Sequence, residues 1–326
     1  MRWIRAFLVV VAALIGSASA EAGEYGVLVM AHGGGQAWNQ TVLDAVKPLR
    51  DRYPLEVAFG MADACSLQES VRKLEVQGVR SIGVVRLFIS GESWYEETEK
   101  ILGLREGAPP APADACGGGH EGHHQGSHGG HHSMAFFRLD TKSSFVLSKQ
   151  GLSDAPEVGP ILVDRAKSLS RAPEQEDVLI LAHGPGDDAE NQRWLASIDA
   201  RAAEIRAALP FHRVEVLTLR EDWPEKRQEA EKRVVDFVTR TRTEGRKAIV
   251  IPFRLSGFGP YAEVLAGQEY VADQQGLLPH VNVTRWIERQ AEELRGATEQ
   301  AARQGAPTPP AAPPAASGRP PAAGRA

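Results

Sequence analysis

The tripeptide Ala-His-Gly occurs twice in this chain, at residues 31–33 and 182–184, each time closing a short apolar run and opening a glycine-rich turn. The first copy reads Tyr25-Gly-Val-Leu-Val-Met-Ala-His-Gly-Gly-Gly35 and the second Asp177-Val-Leu-Ile-Leu-Ala-His-Gly-Pro-Gly186. Such a run reads as a buried strand turning sharply into a helix. The copies keep step beyond that point. Asn39-Gln40 is matched by Asn191-Gln192, Leu55-Glu-Val57 by Val214-Glu-Val216, and Phe-Ile-Ser-Gly91 by Arg-Leu-Ser-Gly257. Tyr95 and Tyr261 lie four residues past those glycines, Glu97 and Glu263 lie six past them, and Val158–Leu169 resembles Val283–Leu294. Matches at this many places in one order indicate internal duplication.

Within the first copy, strands are expected at the opening run, at Leu55–Phe59 and at Ser81–Ser90. Helices are expected over 39–52, where Val42, Leu43, Val46 and Leu49 share one side, over 67–77, and from about 93 to 104. Strands alternating with helices at this spacing mean a parallel sheet covered on both faces. The expected fold class is α/β, with two duplicated, doubly wound halves, 21–172 and 173–304, and a cleft between them. Ala135–Leu139 and Ser144–Leu147 are expected to form a strand pair. Residues 106–133 are Gly, Pro, Ala and His with little to bury, which predicts a mobile loop, and 305–326 is a Pro/Ala tail expected to be disordered.

The first twenty residues have the form of a cleavable signal peptide. Arg2 and Arg5 are followed by an apolar run too short to span a bilayer, and Ala18-Ser19-Ala20 supplies a cleavage site after Ala20. This predicts a periplasmic or secreted protein, with no membrane association after cleavage. Of the remainder, 42% hydrophobic and 24% charged residues in the whole chain fit a globular protein, and a formal charge of -5 with few aromatics gives no basis for a nucleic-acid partner. Cys65 and Cys116 are the two cysteines; they could form a disulfide, or Cys116 could serve as a soft metal ligand beside the histidine-rich stretch.

Three groups of residues are suited to metal chemistry. His32 and His183 follow strands, at the sheet edge where open α/β folds bind ligands, and imidazole is both a metal ligand and a base near neutral pH. Glu92, Glu96 and Glu97 begin the helix after the third strand; such acids also complement a helix dipole, and Glu97, matched by Glu263, is the better ligand candidate. His120, His123, His124, His128, His131 and His132 form a tract able to take Zn2+, Ni2+, Co2+ or Cu2+ as an arm that gathers metal. The glycine turns match neither a dinucleotide fingerprint nor a P-loop, and Pro185 removes an amide donor from the second, so no nucleotide is expected.

Val-Leu-Val-Met-Ala-His-Gly33, then Leu55-Glu-Val-Ala-Phe-Gly-Met-Ala-Asp-Ala-Cys-Ser-Leu-Gln-Glu-Ser-Val71, then Val84-Val-Arg-Leu-Phe-Ile-Ser-Gly91 resemble the class II chelatases, the sirohydrochlorin cobaltochelatases and ferrochelatases. The resemblance covers residues 25–104 best, 144–170 less closely, and the second half as a diverged copy. It implies two chelatase-like halves that insert Co2+ or Fe2+ into a tetrapyrrole such as sirohydrochlorin without a nucleotide. It also implies metal binding and pyrrole deprotonation by His32, with His183 its repeat equivalent. Two positions depart from the family. Ser93, and Gly259 in the second half, stand where a second histidine is usual, and Arg86 stands where the family and this chain's own Pro252 have proline. Two functions are therefore expected of this scaffold: metal insertion into a tetrapyrrole, or non-catalytic periplasmic metal binding and delivery.

Overall fold

The computed structural model describes residues 25–113, 115–116 and 134–304. The signal segment, the histidine tract and the tail lie outside the described residues. The first half runs β1 (Tyr25–Ala31), α1 (Gln36–Val46), β2 (Leu55–Phe59), α2 (Ala64–Val76), β3 (Ser81–Leu87), α3 (Tyr95–Ile101), β4 (Ser144–Leu147) and α4 (Val158–Leu169). The second runs β5 (Glu176–Ala182), α5 (Asp188–Ala208), β6 (Arg213–Thr218), α6 (Pro224–Thr243), β7 (Lys247–Phe253), α7 (Tyr261–Val264) and α8 (Val281–Arg303). No helix among the described residues is long and apolar enough to cross a membrane.

Both sheets are parallel, ordered β2-β1-β3-β4 and β6-β5-β7. Their registers correspond: Val27 stands beside Leu55 and Gly83 as Val178 stands beside Val214 and Ile249. A single bridge from Ile249 to Val271 occupies the place where β4 joins β3. The expected pairing of Ala135–Leu139 with Ser144–Leu147 is not formed. Ser144–Leu147 pairs in parallel with β3, while the backbone of 135–139 bonds instead to Ala64, Ile101 and Pro109. Helix α2 begins at Ala64, three residues before the expected 67, because the Asp63 side chain accepts from the Ser66 amide and caps it.

Each central strand is buried on both faces, as parallel strands between helices must be. Leu28 and Met30 face α2 and α3, where Leu67, Val71, Leu74 and Ile101 cover them. Leu179, Leu181 and Val250 face α6 through Val234, Phe237 and Val238. The alternate residues, Val27 and Val29 on one sheet and Val178 and Ile180 on the other, meet in one continuous core between the sheets. That middle layer is made by α1, α4, α5 and α8.

The terminal helices of the two halves are exchanged. Helix α8 packs on β3, β4 and α1, while α4 packs on β7 and α5. Each helix also grips the same loop of the opposite half. Arg165 of α4 donates to the Gln275 side chain and to the carbonyls of Gly276 and Pro279. Trp286 and Arg289 of α8 donate to the Gln150 side chain, and Arg289 also pairs with Glu157. Gln150-Gly-Leu152 and Gln275-Gly-Leu277 are equivalent, their leucine amides bonding to the carbonyls of Phe88 and Arg254. Trp286 is fully buried at this junction. Trp286→Ala is expected to cost about 3–5 kcal/mol in denaturant unfolding, and a loss below about 1 kcal/mol would show that α8 does not hold the first sheet.

Candidate metal site

His32 and His183 directly follow β1 and β5, the central strands at which the strand order reverses, the edge at which open α/β sheets bind ligands. The residue after each must be glycine. Gly33 has φ +83° and Gly184 φ +76°, and a side chain on Gly184 would strike Thr218. The turns are pinned alike: the His32 carbonyl accepts from the Gly60 amide and the His183 carbonyl from the Arg220 amide. Asn39 accepts from the Gly34 amide, while its counterpart Asn191 accepts from the Thr218 hydroxyl.

The two imidazoles share one local device. Nδ1 of His32 lies 2.7 Å from the Gly33 carbonyl, and Nδ1 of His183 lies 2.7 Å from the Gly184 carbonyl. A carbonyl only accepts, so Nδ1 is the donor in both, which leaves Nε2 as the nitrogen free for other partners. They then differ. His32 is exposed, whereas Nε2 of His183 is 3.0 Å from an Asp222 carboxylate oxygen and 4.0 Å from one of Glu221. Burial alone would lower the His183 pKa, but the Asp222 hydrogen bond and the charges of Glu221 and Asp222 outweigh it and raise it. Asp222 is correspondingly held below the usual carboxylate range, first by its bond to His183 and then, through space, by His183, His32 and Arg254. His183 is thus bonded to Asp222, and His32 of the other half adds only a longer-range influence on that carboxylate.

Glu221 is nearly buried and paired with Arg254, whose guanidinium lies 5.5 Å from the Tyr261 ring centroid. Sequence reasoning missed Glu221, Asp222 and Arg254. The strand register that matches Leu55 with Val214 places Asp63 opposite Asp222, so the repeat itself carried a signal. In the first half that acid is spent on capping α2 and on the Ala135 amide.

Glu97 lies in the first turn of α3, and Glu263 lines a surface groove with Arg227 and Glu231 of α6. Neither makes a hydrogen bond or ion pair with the two histidines among the described residues. Glu92 forms a two-pronged pair with Arg193 of α5, at 2.7 and 2.6 Å, and Glu96 pairs with Lys100 and Arg105. Cys65 and Cys116 form a disulfide, which excludes Cys116 as a thiolate ligand in this state. Its effect is positional: residue 116, just before the histidine tract, is tied to the first turn of α2, to which Ala135, just after the tract, also bonds.

The departure at Arg86 is a structural substitution. Its side chain is almost wholly buried, donates to the carbonyls of Gly91, Ser93 and Ser148, and stacks 4.8 Å from the Tyr95 ring centroid. Burial brings its pKa down to about 10, with Tyr95 and Glu99 opposing. The loop carrying Ser93 is thus fastened from beneath by a guanidinium, where the second half has Pro252.

A second cluster lies at the opposite, amino-terminal edge of the second sheet. Asp177, His212 and Glu244 bring ligand atoms within 4.8 Å of one another. The fully buried Asp177 is already bonded by Arg213 at 3.0 Å, Thr241 at 2.8 Å and His212 at 2.9 Å, with Arg246 beside it. Two guanidiniums oppose a cation there, and the cluster reads as a charge network that holds β5, β6 and α6 together.

No protein-family model matches the chain, and no curated protein matches it. Among solved structures it is similar to the sirohydrochlorin chelatase SirB from Bacillus subtilis subspecies spizizenii in complex with cobalt, at 14% identity and a TM-score of 0.51, over 84% of this chain and 97% of that one. It is also similar to SirB from Bacillus subtilis with Fe3+, at 15% identity and a TM-score of 0.55, over 85% of this chain and 98% of that one. The fold is chelatase-like. On this chelatase-like scaffold the His183–Asp222 contact has a defined pH dependence. The raised His183 value contributes stability fully below the ordinary imidazole pKa of about 6.5, lost as pH rises through the folded value; the lowered Asp222 value contributes above about 3.9, lost as pH falls through its folded value. Asp222→Asn is expected to lower the His183 midpoint in an NMR titration of its imidazole protons, and an unmoved midpoint would show that the contact is not made in solution.

Proposed function

We propose that this chain is an exported metal chelatase-like protein in which a divalent metal, Co2+ or Fe2+, is handled between His32 and His183 for insertion into a tetrapyrrole. The observation that carries this reading is the placement of two repeat-related histidines at the carboxyl ends of β1 and β5, with Asp222 and Glu221 beside His183. His32 offers an Nε2 lone pair as ligand, its tautomer set by Gly33. Insertion exchanges two pyrrole N–H protons for one M2+, so the site needs bases beside the metal. His183, once neutral, would serve as such a base, with Asp222 beside it to steady the imidazolium it becomes. The likeness to SirB structures holding cobalt and Fe3+ supports the choice of chemistry at the level of fold.

The expected result is that residues 21–326 accelerate Co2+ insertion into sirohydrochlorin, followed by absorbance, and that His32→Ala removes the acceleration. Equal rates with and without the protein would sink the enzymatic reading.

One observation favours a second reading, that of a non-catalytic metal carrier. The position where the family has its second histidine holds Ser93, with its carbonyl bonded to Arg86, so the first half supplies one imidazole to the edge instead of two. On this reading the tract at His120, His123, His124, His128, His131 and His132 is the gathering arm, and export places it where Co2+, Ni2+ or Zn2+ arrives from outside the cytoplasm. Deleting residues 117–132 is expected to lower the Ni2+ stoichiometry measured by calorimetry at pH 7.5 while leaving the cleft site intact. An unchanged stoichiometry would rule the tract out as a binding site.

A further inference from the structure

A cavity of about 510 Å3 lies between the halves, beside the residues that follow β3. That volume is within the range that small-molecule sites occupy. The first half lines it with Ser90, Glu92 and Lys149, and the second with Arg193 and Ser197 of α5. Glu92 and Arg193 are the two-pronged pair already described, the carboxylate held by Nε at 2.7 Å and by Nη2 at 2.6 Å. The other acids of the wall have partners. Glu96 pairs with Lys100 and Arg105, and Asp154 accepts from the Ser197 hydroxyl at 2.7 Å. Lys149 is exposed, and its ammonium makes no ion pair among the described residues. Arg86 donates to the carbonyls of Gly91 and Ser93, on either side of Glu92, so the backbone there is held. The Glu92 side chain itself is 50% exposed and can turn into water without moving that loop.

We propose that Arg193 and Lys149 form a carboxylate-binding subsite in this cavity, in which Glu92 stands in for the carboxylate of a ligand. A guanidinium fork recognises a carboxylate by two parallel hydrogen bonds, and the pair with Glu92 displays that geometry inside the cavity. A half-exposed ion pair contributes little to stability, so the fold does not depend on keeping Glu92 there. A ligand carboxylate takes its place at Nε and Nη2, and Glu92 turns out to solvent with no covalent change. Lys149 supplies the second positive charge, which Glu92 leaves unmatched. Two sources carry such a group: a small free polycarboxylate, or the periphery of a tetrapyrrole. The first is independent of the tetrapyrrole reading above, and the second rests on it and extends it.

The test measures binding of citrate and of uroporphyrin III to the full chain by calorimetry without added metal. Arg193→Gln is expected to weaken binding about tenfold, the size of one lost charge-assisted contact, and Lys149→Gln about threefold. Glu92→Gln empties the fork and removes a competing charge, and it is expected to tighten binding about threefold. The opposed shifts at Arg193 and Glu92 are the signature of a masked subsite. Shifts of the same sign at both, or none at either, belong to a structural ion pair and overturn the proposal. The probe that shows the opposed shifts identifies the source of the carboxylate. Uroporphyrin III bound equally by the parent and all three variants, with citrate unbound, overturns the subsite and leaves the tetrapyrrole reading standing. A parent protein and a Glu92→Gln variant that bind neither probe overturn the subsite as well.

Discussion

The exchange of α4 and α8 between the halves is the constraint on which the rest of the structure depends. A parallel sheet must be covered on both faces, and here the inner face of each sheet is completed by the last helix of the other half. Neither half therefore closes its own core. Ile161 and Leu162 of α4 share one apolar cluster with Ile249 and Ile251, and Trp286 and Leu294 of α8 share it with Val27 and Val85. Arg165 and Arg289 fasten the exchange by seizing the Gln275 and Gln150 loops, which themselves pack against the third-strand loops through Gly276 and Gly151. The carboxyl edges of the two sheets are thereby held in a fixed relation. A site built half from one sheet and half from the other needs that fixity, because ligand atoms misplaced by an ångström lose most of their value.

The two halves share a backbone plan but have divided its chemistry. Gly33 and Gly184, the Nδ1-to-carbonyl bonds and the flanking indoles are common to both. The carboxylates are not. After β6 the chain places Glu221 and Asp222 against His183, whereas after β2 the matching Asp63 caps a helix. The third-strand loops diverge in the same sense: Arg86 ties its loop down through carbonyls, while Arg254 reaches across to Glu221. Both arginines stack on equivalent tyrosines, Tyr95 and Tyr261, so a common packing arrangement has been turned to anchoring in one half and to orienting an acid in the other.

Much of this was legible in the sequence because it is written in short-range patterns. The apolar runs ending in His-Gly located β1 and β5, and the repeated Glu-Val pairs located β2 and β6 in the register that the sheets adopt. A helix read roughly from Val158 to Leu169 is formed there, with Pro160 tolerated in its first turn. The exchange of α4 and α8 was not legible, since amphipathic periodicity says which face of a helix is apolar and nothing about which sheet will cover it. The strand expected at 135–139 failed for a related reason. Its alternation suits a strand, but Asp63, Ala64 and Ile101 take its hydrogen bonds, a competition settled only in three dimensions. Glu97 and Glu263 were singled out by repeat position, and the structure has Glu97 in the first turn of α3 and Glu263 in a groove beside α6. Glu221 and Asp222 escaped because the first half shows no functional counterpart, and a search for matches passes over what one copy alone acquired.

The charges around His183 bear on what the site is built to hold. With Nε2 protonated, the imidazolium and Arg254 together balance Asp222 and Glu221. If that proton leaves, two carboxylates face one guanidinium across a neutral imidazole. The charge around His183 is thus net negative whenever its Nε2 is neutral. A histidine kept only to cap a strand end gains nothing from two acids at its outer nitrogen, because the Nδ1 bond to Gly184 already does the capping. His32 makes that bond to Gly33 with no acid of its own half at Nε2. The asymmetry leaves one half with a bare imidazole and the other with the charge.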